Sequence, residues 1–130
     1  MDYVLAPEDI TWKMLESPTS PGIGFGFTPS VIDADYTELY SAQLGKIGPG
    51  GLSKSHVDHY NHAFYFISGT GTVTIGKQSW PLRPGTIAKI PAGLTHALEN
   101  TGQDDLTFFV VYDPPYVAGG PFDDAAAGDA

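Results

Sequence analysis

The chain has 130 residues, 42% of them hydrophobic and 16% charged, with a net charge of −9. That length supports one domain with a filled core, and the acidic balance argues against nucleic acid as a partner. The absence of cysteine excludes disulfide scaffolds, thiolate metal sites and cysteine nucleophiles.

At the N-terminus, Pro7-Glu8-Asp9 is expected to open a short helix or turn, with Trp12, Met14 and Leu15 as anchors. The first residues lack the basic-then-apolar pattern of a secretory leader. No apolar run reaches the ~18 residues of a membrane span, so a cytoplasmic location and no membrane partner are expected. Residues 17–22 form a breaker cluster. Ile23 to Phe27 then reads as a short strand. Tyr36 to Ile47 reads as another, ending at the turn Gly48-Pro49-Gly50-Gly51.

Beyond His62 the strand signal strengthens. Ala63 to Ile67 is aromatic and β-branched and stops at Ser68-Gly69. Thr72 to Ile75 returns as a hairpin strand that turns at Gly76-Lys77. Trp80-Pro81-Leu82 leads to the turn at Pro84-Gly85. Strands follow at Thr86 to Ile90, His96 to Glu99 and Leu106 to Tyr112. Many short strands with abundant glycine (16) and proline (11) give an all-β sandwich or barrel. The expected division is one domain over 1–130. Residues 1–40 are an arm with the first strands, 41–115 the barrel core, and 116–130 an acidic, alanine-rich, disordered tail.

Charge is uneven along this order. From Ser41 to Leu98 the bases are Lys46, Lys54, Lys77, Arg83 and Lys89, and the one acid is Asp58. That segment is net +4, against −13 for the flanks. Acidic flanks keep a small protein soluble; the sharper reading is a mildly positive centre that receives an anion.

The four histidines are His56, His59, His62 and His96, three of them within seven residues. On a strand, alternate residues share a face, which groups His56, Asp58 and His62 and turns His59 away. Three imidazoles and a carboxylate suit a divalent transition metal: Fe²⁺, Mn²⁺, Zn²⁺ or Ni²⁺.

Gly85-x5-Pro91-x-Gly93-x2-His96-x3-Asn100 resembles the second signature motif of the cupin superfamily at every fixed position. Gly50-x5-His56-x-Asp58-x3-His62-x6-Gly69 resembles the first motif in spacing. Its ligand residues are permuted from His-x-His-x3-Glu to His-x-Asp-x3-His. The resemblance covers residues 41–115 and implies an antiparallel double-stranded β-helix, or jelly-roll, barrel. It implies a metal held inside by His56, Asp58, His62 and His96. Asp is one C–C bond, about 1.5 Å, shorter than Glu. Asp58 is therefore either a ligand or a catalytic base beside a three-histidine site, and His59 replaces it if the strand bulges. Phe64, Phe66, Leu98 and Tyr112 are expected to line a substrate pocket.

The resemblance implies a metal-dependent enzyme acting on a small molecule, anionic or carbonyl-containing, by dioxygenase, lyase or isomerase chemistry. Iron is the first choice of metal and dioxygenase the first choice of class. A non-catalytic sensor barrel is the alternative. It also implies a homodimer, with the segment holding Trp12 and the Ile23–Phe27 strand exchanged between subunits.

Overall fold

The computed structural model describes residues 2–15, 22–53 and 55–116. Among the described residues, a single 3-10 turn at Pro7–Asp9 precedes nine strands. They are β1 (Lys13–Leu15), β2 (Gly22–Phe27), β3 (Ser41–Ser53), β4 (Asn61–Ser68), β5 (Gly71–Ile75), β6 (Gln78–Leu82), β7 (Ile87–Ile90), β8 (His96–Asn100) and β9 (Leu106–Asp113). All strand pairings are antiparallel. The order is β6-β5-β8-β3-β9-β4-β7, with β2 also on β3 and β1 on β2. No helix among the described residues is long and apolar enough to cross a membrane.

The 13-residue β3 curls the sheet on itself. Ser41 to Ile47 pairs with β9, and Leu52, further along, pairs with Glu99 on β8. One strand therefore joins the β9-β4-β7 wall to the β8-β5-β6 wall. Turn spacing led to a sandwich or barrel, and this is the jelly-roll barrel that the motif resemblance implies.

Strand alternation fills the interior in layers, because directly opposed residues of an antiparallel pair project to the same face. One end layer holds His62, paired with Tyr112 and Ile90, and His96, paired with Ile75, which in turn pairs with Gln78. Phe64, Val110 and Ala88 lie one pair inward on one wall, and Leu98 and Val73 on the other. Phe66 and Phe108 come next and are fully buried, with ring centroids 5.6 Å apart.

Asn100, the last fixed residue of the second motif, is structural. Its side chain is buried and donates to the carbonyls of Ile47 and Asp104 at 2.8 Å each. Its carbonyl oxygen accepts from Gly102 N–H at 2.8 Å. Asn100→Ala should strand these partners and cost roughly 2–4 kcal/mol, read as a lower urea midpoint with an unchanged slope. Gly69 is equally constrained. Its φ is 86°, and a Cβ there would collide with the Asp105 backbone.

Three expectations need correction. Gly48-Pro49-Gly50-Gly51 does not end a strand, because β3 runs through it. Phe25 pairs with Ile47 and Ile23 with Leu52, so Gly24 alone faces four residues that bulge outward and rejoin. Tyr36 to Tyr40 is not strand; it is a turn and bend held by Asp33 and Thr37 side chains, which accept from Asp35 and Leu39 N–H. The short helix or turn forms at Pro7–Asp9, but two of its expected anchors, Met14 and Leu15, lie in the separate strand β1, and the third, the Trp12 ring, receives the Lys46 Nζ at 4.3 Å. Residues 16–21, with most of the breaker cluster, and the tail from residue 117 lie outside the described residues.

Candidate metal centre

The two motifs meet through their backbones. His56 N–H donates to the His96 carbonyl and His96 N–H to that of His56, both at 3.0 Å. Gly93 N–H donates to the Asp58 carbonyl at 2.9 Å, and Ala92 N–H to Asn61 Oδ1 at 2.9 Å. Gly93 can make this tight return because its φ is 89°. The fixed spacing of Pro91, Gly93 and His96 is thus the spacing of a turn that docks on the first motif.

These contacts gather the side chains. Asp58 Oδ2 lies 3.0 Å from His56 Nε2, 3.4 Å from His96 Nε2 and 3.6 Å from His62 Nε2. One donor atom from each of His56, Asp58 and His96 lies within 4.8 Å of the others. The His62 and His96 rings meet edge to face at 5.3 Å. His62 and His96 are about 5% exposed, whereas His56 and Asp58 are 19% and 16% exposed. The site therefore opens on the His56–Asp58 side.

Electrostatics follow from this packing. Burial alone would push the Asp58 carboxyl up. The hydrogen bonds from His56 and His96, with the charges of His56 and His62, outweigh it and hold the group below the usual carboxylate range. Burial brings His62 down to about 4, with the nearby His96 and His56 adding to the effect and Asp58 opposing it. His62 is therefore a neutral imidazole at neutral pH, the form that ligates metal.

Two observations test whether a cation fits. His96 Nδ1 lies 3.0 Å from the Leu94 carbonyl. A carbonyl can only accept, so Nδ1 carries a proton; once Nε2 gives up its own proton it presents a lone pair on the side of the Asp58 carboxylate. A cation between them satisfies both, and this second contact sets ring orientation as in metal-ligating histidines. Both ring nitrogens of His62 are also buried without a hydrogen-bond partner. The 3.6 Å contact to Asp58 is too long to count as one. His56, Asp58 and His96 fit a divalent metal, and His62 Nε2 stands 3.6 Å from the same carboxylate oxygen.

Each expected site residue can now be placed. His56, Asp58, His62 and His96 come together, and His59 is exposed. Asp58 does not arrive by strand alternation, because residues 57–60 are loop and bend. Phe64 and Tyr112 border His62 at 5.8 and 4.8 Å. Leu98 lies one layer below His96. Phe66 is the correction: it sits behind Phe64 (5.8 Å) and against Phe108 with no exposure, so it is core rather than pocket lining. The positive centre does not form at the site from the described bases. Lys46 caps Trp12, Lys77 and Arg83 are exposed after β5 and β6, and Lys89 is exposed beside outward-facing Ala63.

Sequence reading missed two rings. Tyr60 is buried and nearly parallel to His62, with centroids 6.3 Å apart. Tyr116 lies 5.6 Å from Tyr60 and 5.3 Å from Tyr112. Its N–H donates to Ser41 Oγ at 2.7 Å. Tyr60 lay inside the histidine-rich stretch; nothing local marked Tyr116, which the Ser41 contact brings in from 75 residues away.

A curled antiparallel barrel with clustered histidines at one end defines the class. The cupin-domain family profile matches residues 43–112, and the chain belongs to that family. A structure of a predicted oxalate decarboxylase from Thermotoga maritima aligns with a TM-score of 0.74 at 23% identity, covering 85% of this chain and 98% of that one. The polyketide cyclase RemF from Streptomyces resistomycificus aligns at 0.73 and 18%, covering 87% and 80%. A cupin-2 domain protein from Rhodospirillum rubrum aligns at 0.74 and 15%, covering 86% and 74%. These likenesses show the fold. An uncharacterized protein of Streptomyces coelicolor is 30% identical over 66 residues, half of this chain and 62% of that protein's length.

Proposed function

We propose that this chain is a metal-dependent enzyme acting on a small molecule through a carbonyl or anionic oxygen. His56, His62 and His96 would hold one divalent transition metal, with Asp58 as the oxygen donor of the set and iron(II) as the first choice. The observation that carries this reading is the convergence of three imidazole nitrogens on one carboxylate oxygen. Likeness in fold to proteins named as a predicted oxalate decarboxylase and a polyketide cyclase supports an enzyme rather than a sensor.

When bound, the metal supplies Lewis acidity toward a substrate oxygen and, as iron(II), reactivity toward O₂, which puts dioxygenase chemistry ahead of lyase or isomerase chemistry. The chain's own residues do the rest. Leu94 holds the His96 tautomer. Buried rings behind His62 exclude water. Asp58 stays ionised beside the cation, the form in which its carboxylate donates an oxygen to the metal.

Plasma emission on the purified protein should find close to one transition metal per chain. Stripping with a chelator and restoring Fe²⁺, Mn²⁺, Zn²⁺ or Ni²⁺ singly should identify the working ion. A protein that takes up none of them would reject this reading and leave a metal-free binding role.

A further inference from the structure

Strand register sorts the outward side chains of the β9-β4-β7 wall into rows. Val111, Ala63 and Lys89 form one row, and Phe109, Tyr65 and Ile87 form the next. Asn61 and Asp113 lie beyond the first row, and Thr107, paired with Lys46 of β3, lies beyond the second. Nothing among the described residues buries this face: Ile87 is 65% exposed, Tyr65 49%, and Ile67, further along β4, 47%. Large apolar side chains grouped in this way mark a contact surface, where single ones would not. The two rows differ in height. A groove of about 310 Å³ is lined by Ala63, Val111, Lys89, Asn61 and Asp113, and Ala63 is the smallest of these. The second row, with Tyr65 at its centre, is a ridge.

A ridge one row away from a groove on the same face is complementary to itself. A two-fold axis lying in the interface, across the strands and between the two rows, turns each row onto the other. Tyr65 of each copy then enters the other's groove over Ala63. Phe109 meets Val111, and Ile87 meets the aliphatic stem of Lys89, whose ammonium reaches the rim. The strands of the two faces stay roughly aligned, as in packed sheets. The same rotation sets the second copy's Asp113 over Thr107, one strand from Lys46, so opposite charges meet at the edge. Charge also favours this face over others. The chain carries −9, yet Asp113 is the one acid among these outward residues, against Lys46 and Lys89.

We propose that the chain forms a two-fold homodimer through the outer face of β9-β4-β7, with Tyr65 of each copy filling the groove over Ala63 of the other. The spacing of strands and of side-chain rows makes this face roughly 15 by 25 Å. Two copies bury on the order of 1,000 Å² in total, the lower bound for a specific interface, which sets dissociation in the micromolar range.

Analytical ultracentrifugation of the full chain across the micromolar range should show a reversible monomer–dimer equilibrium. Tyr65→Glu should weaken it by at least about 100-fold, because a carboxylate would enter an apolar groove. Ala63→Gln fills the groove and should weaken it by about 10-fold. Ser79→Glu, exposed on β6 of the opposite wall, adds the same charge as Tyr65→Glu and should leave the equilibrium unchanged. These positions are exposed or border solvent, and circular dichroism confirms the barrel in each variant. The chain has no cysteine. Copies carrying Lys89→Cys, mixed with copies carrying Ile87→Cys, should therefore cross-link through a short bis-maleimide, and copies carrying Ser79→Cys should not. A chain that stays monomeric would overturn the proposal and leave the face to a different partner. A dimer indifferent to both Tyr65→Glu and Ala63→Gln, or cross-linking of Ser79→Cys copies equal to that of the mixed pair, would overturn it and place the contact on another surface, such as an exchanged N-terminal segment.

Discussion

His96→Ala should release the bound metal, lowering affinity by more than about 100-fold, since even outer contacts of metal-ligating histidines are worth 10–100-fold. The fold should survive. The β8 backbone pairs with β5 from His96 to Asn100, and the His56 bridge uses main-chain atoms only. The replacement removes an imidazole whose Nδ1 is fixed by Leu94 and whose Nε2 already points at Asp58. Neighbouring groups cannot substitute, because His56 and His62 already occupy their own sides of Asp58 and His59 is exposed. Metal content by plasma emission, with circular dichroism to confirm the barrel, reads the outcome. Full metal occupancy in the folded variant would place the site elsewhere.

Asp58 separates two chemistries. As a ligand, its replacement by alanine should weaken metal affinity and turnover together. As a base, Asp58→Asn should retain metal and fold while turnover falls by roughly 10²–10⁴-fold. The contact of one carboxylate oxygen with all three imidazoles favours ligation, so the expected result is loss of metal in Asp58→Ala. The amide of Asn offers a neutral carbonyl and should retain part of that affinity. Rate and metal content must be measured on the same preparations. A variant with full metal and full rate would reduce Asp58 to a loop residue with no part in the chemistry.

The residues of the centre were legible because the two motifs record backbone requirements as well as ligands. Gly93 needs its positive φ, and the distance from Pro91 to His96 is set by docking on Asp58 and His56. Alternation identified Phe64 and Leu98 as inward and near the histidines, and grouped Tyr112 with Phe108 and Val110 on one face without fixing which face points in. It could not show depth, so Phe66 looked like lining when it lies two layers down. It also gave a right face for Asp58 for the wrong reason, since that residue reaches the histidines from a loop. The run Gly48–Gly51 looked like a strand end because a four-residue bulge opposite a single glycine leaves no periodic trace. Tyr116 was invisible for a related reason: its place depends on one contact with Ser41, distant in sequence.

The layered register couples the site to the core. His62, Phe64 and Phe66 occupy successive inward positions of β4, as do Tyr112, Val110 and Phe108 on β9. Losing or gaining one residue within either strand would turn an imidazole or a phenol and a phenyl to solvent together. The outward set, including Ala63, Tyr65 and Ile67 on β4 and Lys89 on β7, follows the opposite beat and is exposed on the far side of the sheet from the histidines. Each strand thus carries two interleaved messages. A lineage of such chains can rewrite its exterior, and with it whatever the surface meets, one letter at a time, while the interior must be copied in frame.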